Sequence, residues 1–405
     1  TWHFSPMLIT SDTLYDIPDT LTMNYPMQTV INDYSIANAY NGNLISPIQP
    51  KIYFDRRAYT DNIFVHAYSP YLITPDKTRF FRTNLPFSTI SYRKGFKTYR
   101  EENDLEVLLT GNIREDLNVG GQINYLNSIG HYAFQEAKVI NGDVFLSYSG
   151  ENYAIHGAFD FSKLSNFENG GIVNPGDLGG ALSPEDIDIN LQAMSGVRYL
   201  AGYLNHSYTF KTADSVPLIT IRHAFDIQEA TKRYVEQSAE QGFYAYNYKT
   251  DSARTGTRDT ANVLSISNTL NVTFHEEFNR VMRFGFDVFA RNECVRYTLQ
   301  DDTLGTSRLW VNNTFVGGSL YMRKTRHVHY DFNGEVCVLG YKIGEFQVNG
   351  HVDAGFRLGK DSLTLSAKAY VRNQTPSYYL QHYSSNHFKW DNDFSKTSTT
   401  RLQAS

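Results

Sequence analysis

Charged side chains recur at every second or fourth position of several segments, a spacing that puts them on one side of an extended chain. Arg283, Asp287 and Arg291 form one such set, His351, Asp353 and Arg357 a second, and Lys368 with Arg372 a third. Mixed signs on one face can act in two ways. They set up a transverse field that orients polar solutes, or they pair with one another in a filled interior. The densest basic run is Arg323-Lys324-Thr325-Arg326-His327-Val328-His329. Arg323, Lys324 and Arg326 suit contact with phosphate or lipid headgroups at the rim of a membrane structure; the plainer reading is a solvated turn. His327 and His329 share a strand face, but no metal or other cofactor is expected.

No catalytic constellation stands out, and an enzyme is not expected. Ser207 beside His206, and Asp226 near His223, lack a nucleophile elbow. Adjacent strand residues face opposite ways, so His206 cannot readily activate Ser207. Glu168-Asn169-Gly170-Gly171 opens a glycine- and proline-bearing stretch through Gly180. No Lys-Ser/Thr pair follows, as a phosphate-cradling loop needs, so this is an external or constriction loop. Segment 243–259 mixes Phe243, Tyr244, Tyr246 and Tyr248 with Lys249, Asp251, Arg254, Arg258 and Asp259. Such a set could stack on sugars, contact lipopolysaccharide, or pack on itself.

The elements that carry these groups read as long strands. Over 345–358, Phe346, Val348, Gly350, Val352, Ala354, Phe356 and Leu358 alternate with a polar set. One face is therefore oily and the other wet for the whole stretch. A tilted strand needs about 9–11 residues to cross a bilayer, so this one is long enough. The pattern recurs at 105–113, 117–125, 152–161, 282–291 and 362–372. Alternating segments of about ten residues joined by turns are the signature of a transmembrane β-barrel. A large soluble sheet with one solvated face is the rival reading. The apolar faces must meet lipid, because Arg or Lys there costs about 2–4 kcal/mol at the midplane.

Bulk properties agree. No run approaches the apolar length of a membrane helix, while 29 Tyr and 26 Phe would supply interfacial girdles. The net charge of −5 leaves no basic footprint for nucleic acid. Cys294 and Cys337 lie far apart without metal-ligand spacing, so two unrelated small residues are expected. Residues 1–50, with Pro6, Pro18, Pro26, Pro47 and Pro50, read as a polar N-terminal extension plugging the lumen or lying at its periplasmic mouth. Residues 51–405 read as the barrel. Strands are expected near 51–58, 61–69, 88–98, 104–114, 117–126, 143–150, 152–162, 197–211, 216–227, 260–275, 279–291, 307–322, 328–340, 345–358 and 362–372. The best helix candidate is 228–238. Tight connections at 114–116, 150–151, 212–216, 275–279 and 359–361 alternate with long ones at 127–142, 163–196, 228–259 and 292–306. Outer-membrane barrels show that asymmetry, with short periplasmic turns and long external loops. The chain ends in 397–405 without a closing strand or terminal aromatic, so further closing strands are expected beyond it.

Motifs spread over 39–390 resemble the putative porin family of Bacteroidota outer membranes. They are Ala39-Tyr40-Asn41-Gly42-Asn43, Tyr53-Phe54-Asp55-Arg56-Arg57, Tyr68-Ser69-Pro70-Tyr71, Leu85-Pro86-Phe87 with Ile90-Ser91-Tyr92, Gly130-His131-Tyr132, Glu168-Asn169-Gly170-Gly171-Ile172, Tyr203-Leu204-Asn205-His206-Ser207-Tyr208 and Phe388-Lys389-Trp390. The resemblance is to the N-terminal portion of a longer member. It implies an outer-membrane barrel and a pore, and brings no catalytic residues. The expectation is an all-β, antiparallel up-and-down barrel of at least about 14 strands, passing small polar solutes by passive diffusion. The alternative is a non-conducting subunit of a larger outer-membrane assembly. Lipid and lipopolysaccharide, and other outer-membrane proteins, are the expected partners.

Overall fold

The computed structural model describes residues 2–4, 13–15, 30–56, 61–95, 101–180, 182–248, 256–278, 284–301, 305–325, 327–358 and 361–405. Fourteen antiparallel strands form one sheet in chain order. They are β1 (Phe87–Lys94), β2 (Glu102–Arg114), β3 (Leu117–Ser128), β4 (Ala137–Ser149), β5 (Tyr153–Glu168), β6 (Leu191–Lys211) and β7 (Pro217–Ala239). The remainder are β8 (Arg258–Phe274), β9 (Gly285–Asp301), β10 (Gly305–Met322), β11 (Val328–Gly340), β12 (Phe346–Leu358), β13 (Asp361–Gln374) and β14 (Thr397–Ala404). β1 and β14 are its edges, and the two do not pair with each other. No helix among the described residues is long and apolar enough to cross a membrane; this chain crosses with strands.

Side-chain alternation separates the two faces. Along β6, Leu191, Ala193, Val197, Tyr199, Ala201 and Tyr203 are buried, while Leu204, Tyr208 and Phe210 on the opposite parity are exposed. Exposed apolar side chains on the outer face recur in Ile123, Val144, Phe159, Ile221, Leu270, Val288, Leu320, Val348 and Leu365. On a soluble protein so large a greasy surface would demand a cover; on a barrel wall the cover is hydrocarbon.

The greasy band also crosses the sheet at a slant. One row of directly opposed residues reads Ile140–Lys163–Arg198–Thr231–Asn262–Thr298–Arg308 from β4 to β10. It starts apolar and ends charged. Apolar outward residues sit in rows toward the long loops on β4 (Ile140, Val144) and toward the short turns on β13 (Leu363, Leu365). Strands tilted by about 35–45° to the membrane normal require this shift.

The inner face is covered by the N-terminal segment. Ile45, Ile48, Val65, Tyr68, Tyr71 and Leu72 pack on Leu126, Val139, Leu164, Val197 and Tyr199 of β3–β6. Phe80 and Phe81 pack on Phe145 and Tyr203. Each such fully buried apolar side chain contributes about 1.5–3 kcal/mol. Polar anchors give register: Asn141 Nδ2 donates to Tyr71 O at 2.7 Å, the Ile73 amide to Ser162 Oγ at 3.1 Å, and Thr78 Oγ1 to Asp160 Oδ1 at 2.8 Å.

Several expectations are corrected. Residues 51–58 and 61–69 carry no wall strand among the described residues. They hold a 3-10 turn at Tyr53–Asp55, a short helix at Ile63–His66 and another 3-10 turn at Ser69–Tyr71. Val65, Tyr68, Tyr71 and Leu72, spaced by three or four rather than two, enter one cluster, while Phe64 packs against another. The helix expected at 228–238 is instead the distal half of β7, paired with β6 to Ala239. Beyond the bilayer the outer face no longer meets lipid and carries polar residues, so alternation fades although pairing continues. For the same reason the loop expected at 163–196 shrinks to 169–190, and of the one at 292–306 the described residues 292–301 and 305–306 are the ends of β9 and β10. Residues 397–404, read as strandless, form β14 on β13.

Candidate functional site

Alternation places the charges singled out in the sequence on the inner face of β9–β13. Asp287 is buried, accepting from Asn271 Nδ2 at 3.2 Å and from Ser319 Oγ. Arg291 lies 3.1 Å from Glu293 and 2.9 Å from Glu335, its guanidinium over the Phe315 ring. His351 sits opposite Lys368, with Nε2 3.1 Å from Asp353 Oδ1. Arg372 stacks on Tyr370. Arg283 lies outside the described residues, and of Arg357 only its place on β12 is described.

Arg291 is thus ion-paired and Asp287 hydrogen-bonded to neighbours on the wall, whereas β10–β14 border an open space. A cavity of about 730 Å3 is lined by Arg323, Asp331, His351, Asp353, Lys368 and Arg401, with Asn333, Asn349 and Gln403. Asp331 and Arg401 were not singled out in the sequence. Asp331, Asn333 and Glu335 alternate along β11 and were legible there; Arg401 lies on a strand too polar on both sides to be recognised.

The basic run meets acids. Arg323 pairs with Asp331, and Lys324 with Glu277. The Arg323 and Lys324 amides donate to Glu276 at 2.6 and 3.1 Å. Arg326 lies outside the described residues. His206 does not approach a nucleophile; it meets His223 across the strands at 3.1 Å.

A second cavity, of about 1000 Å3, opens at the long-loop end. It lies between Asn41, Asn43 and Phe64 of the N-terminal segment, the ends of β5–β8, and the hairpin of His382–Ser384 with Lys389–Asp391. Phe167, Tyr234, Phe243, Tyr244, Tyr383 and Trp390 supply aromatic walls; Glu168, Lys232 and Asp259 supply charge. The loops singled out at Glu168–Gly171 and at Phe243–Tyr244 both line it. Lys249, Asp251 and Arg254 fall outside the described residues. The hairpin is held rigidly: His387 stacks on Tyr244 with ring centroids 3.7 Å apart and bonds Glu236 Oε2 at 2.8 Å.

Between the two cavities the N-terminal segment is pinned at Asp61. Its carboxylate accepts from Tyr297 Oη at 3.1 Å, and its carbonyl accepts from Ser377 Oγ at 2.6 Å. Lys342, in the turn between β11 and β12, pairs with Asp61 and Glu293. Burial works against the Lys342 ammonium, but these two carboxylates outweigh that cost and hold its pKa above the ordinary lysine value.

A family model described as "Putative porin" matches residues 5–405. No curated protein matches the sequence. Among solved structures, the siderophore receptor PirA from Acinetobacter baumannii is similar at TM-score 0.52 and 11% identity, over 80% of this chain and 50% of that one. The ferric enterobactin receptor PfeA from Pseudomonas aeruginosa, solved with enterobactin, gives TM-score 0.48 at 11% identity, over 79% of this chain and 50% of that one. A Pseudomonas aeruginosa FadL homologue gives 0.34 at 12% identity, over 68% of this chain and 71% of that one. The likeness to PirA is one of fold, and this chain spans about half the length of the receptors it matches. A porin-family wall of outward-greasy strands belongs to the bacterial outer membrane, and that is where this protein resides.

Proposed function

Since this chain belongs to the family described as putative porins, we propose that it walls a channel through which small polar solutes pass the outer membrane by passive diffusion. The short turns face the periplasm and the long loops face outward. Solutes enter at the aromatic cavity and move along the inner face of β10–β14. One observation carries the reading: the N-terminal segment packs on β3–β9 and touches β14 where the Phe54 carbonyl accepts from Arg401 Nη1 at 3.1 Å, while the charged cavity bordered by His351, Asp353, Lys368 and Arg401 stays open beside it. Cations and anions alternating on that surface replace lost hydration for solutes of either sign. Planar-bilayer recording of the full-length protein tests it. Discrete conductance steps are expected; a folded barrel silent at every voltage rejects it.

The depth of packing behind Ile45, Tyr71 and Phe80 favours a second reading, a non-conducting barrel within a larger outer-membrane assembly. That reading requires partner proteins to stay bound through detergent extraction.

A further inference from the structure

We infer that an outward-facing cluster at the long-loop edge of the greasy band, centred on Lys163 and Arg198, binds the phosphate-bearing headgroup of an outer-leaflet lipid. Lys163 and Arg198 stand directly opposite each other on β5 and β6, both exposed. Two like charges facing across a strand pair destabilise a sheet unless an anion lies between them. The facing acid is Glu229 on β7, and it is shared: Arg198 Nη2 reaches one oxygen at 3.0 Å, while Arg296 Nη2 lies 3.9 Å from the other. Arg198 and Arg296 thus share one carboxylate, and Lys163 adds a further positive charge beside Arg198. Asn262 Nδ2 also donates to Glu229 at 3.0 Å, and Arg296 packs over Trp310. Lys138, with its partner Glu136, and Arg233 lie one row further out.

Position identifies the ligand. Phe161 and Leu200 lie two residues from Lys163 and Arg198 toward the bilayer, and paired outward residues continue to Tyr153 on β5 and Phe210 on β6. About 9–11 residues cross the hydrocarbon, so the cations stand at headgroup height. Trp310 sits there as an interfacial aromatic does. Excess positive charge at that depth selects phosphate over a zwitterionic or sugar headgroup. The inference rests on the outward orientation of the long loops proposed above, and not on solute passage, so lipid retention and conductance can fail separately.

Native mass spectrometry of the full-length protein in detergent is the test, with lipid A carrying its phosphates, lipid A stripped of them, and inorganic phosphate alone as probes. The expected result is retention of the phosphorylated lipid, weakened at least tenfold in a K163Q/R198Q variant and kept in K163R/R198K. Equal retention of the stripped lipid, tighter binding of inorganic phosphate than of the lipid, or undiminished binding by K163Q/R198Q would overturn the proposal. The lipid comparison on the parent protein needs no variant, and heat-modifiable gel mobility reports whether each variant has folded.

Discussion

Lys342 Nζ lies 3.4 Å from Asp61 Oδ1, joining a turn of the wall to the N-terminal segment across 281 positions of sequence. The same ammonium is 2.9 Å from Glu293 Oε1 on β9. One side chain thus ties together the wall, a turn and the segment that fills the interior.

Removing that ammonium takes the paired cation from Asp61, leaving it the Tyr297 hydroxyl, and leaves Glu293 to Arg291. Lys342→Met should cost about 3–5 kcal/mol, as breaking a buried pair from one side does. The N-terminal segment should also loosen, seen as faster protease cleavage before Phe87 in micelles. Cleavage at the parent rate would show that the apolar packing alone holds the segment.

The same pair sets an alkaline limit. The folded pKa of Lys342 is raised by Asp61 and Glu293 beyond the burial that opposes it. Its contribution is therefore full below the unfolded lysine value of about 10.4 and is lost as pH rises through the higher folded value. Protection of the segment should persist unchanged to about pH 10 and decline above it in the parent, with no such step in Lys342→Met. Hydrogen exchange or proteolysis across pH reads this directly.

Leu204 tests which side faces lipid. It points outward near the middle of β6 and is exposed. Leu204→Arg should destabilise the barrel in vesicles by about 2–4 kcal/mol, measured by denaturant unfolding. A cost below about 0.5 kcal/mol, typical of a solvated surface change, would mean that water covers this face.

Lys368 tests the solute path. Its side chain is exposed toward the charged cavity, opposite His351. Lys368→Glu should shift the reversal potential in a salt gradient toward cation preference, leaving unfolding stability nearly unchanged. An unaltered reversal potential in a conducting variant would place the path elsewhere.

Much of the wall was legible because strand direction is a local property. Met282–Ala290 and Phe346–Leu358 announce their faces residue by residue. Legibility ended where strands leave the bilayer: Gln228–Ala239 carries polar residues on both faces, so no apolar alternation marks it although β6 and β8 pair with it. It ended again at Ile63–Tyr71, whose apolar residues resemble a strand until Phe64 and Tyr68 are seen packing on different parts of the wall. The ion pairs of the interior were legible as candidates only. Arg291 could have met any acid of its face; the registers of β9, β10 and β11 bring it to Glu335.

The sequence by itself determined that this protein builds a two-faced wall, greasy outside and polar inside. Alternation is dictated by backbone geometry within each strand and needs no partner. Tertiary structure decided which charges neutralise one another, which border open space, and that residues 30–56 and 61–81 cover the inner face instead of extending the wall. Those outcomes depend on contacts between residues up to several hundred positions apart, which exist only once every strand has taken its register.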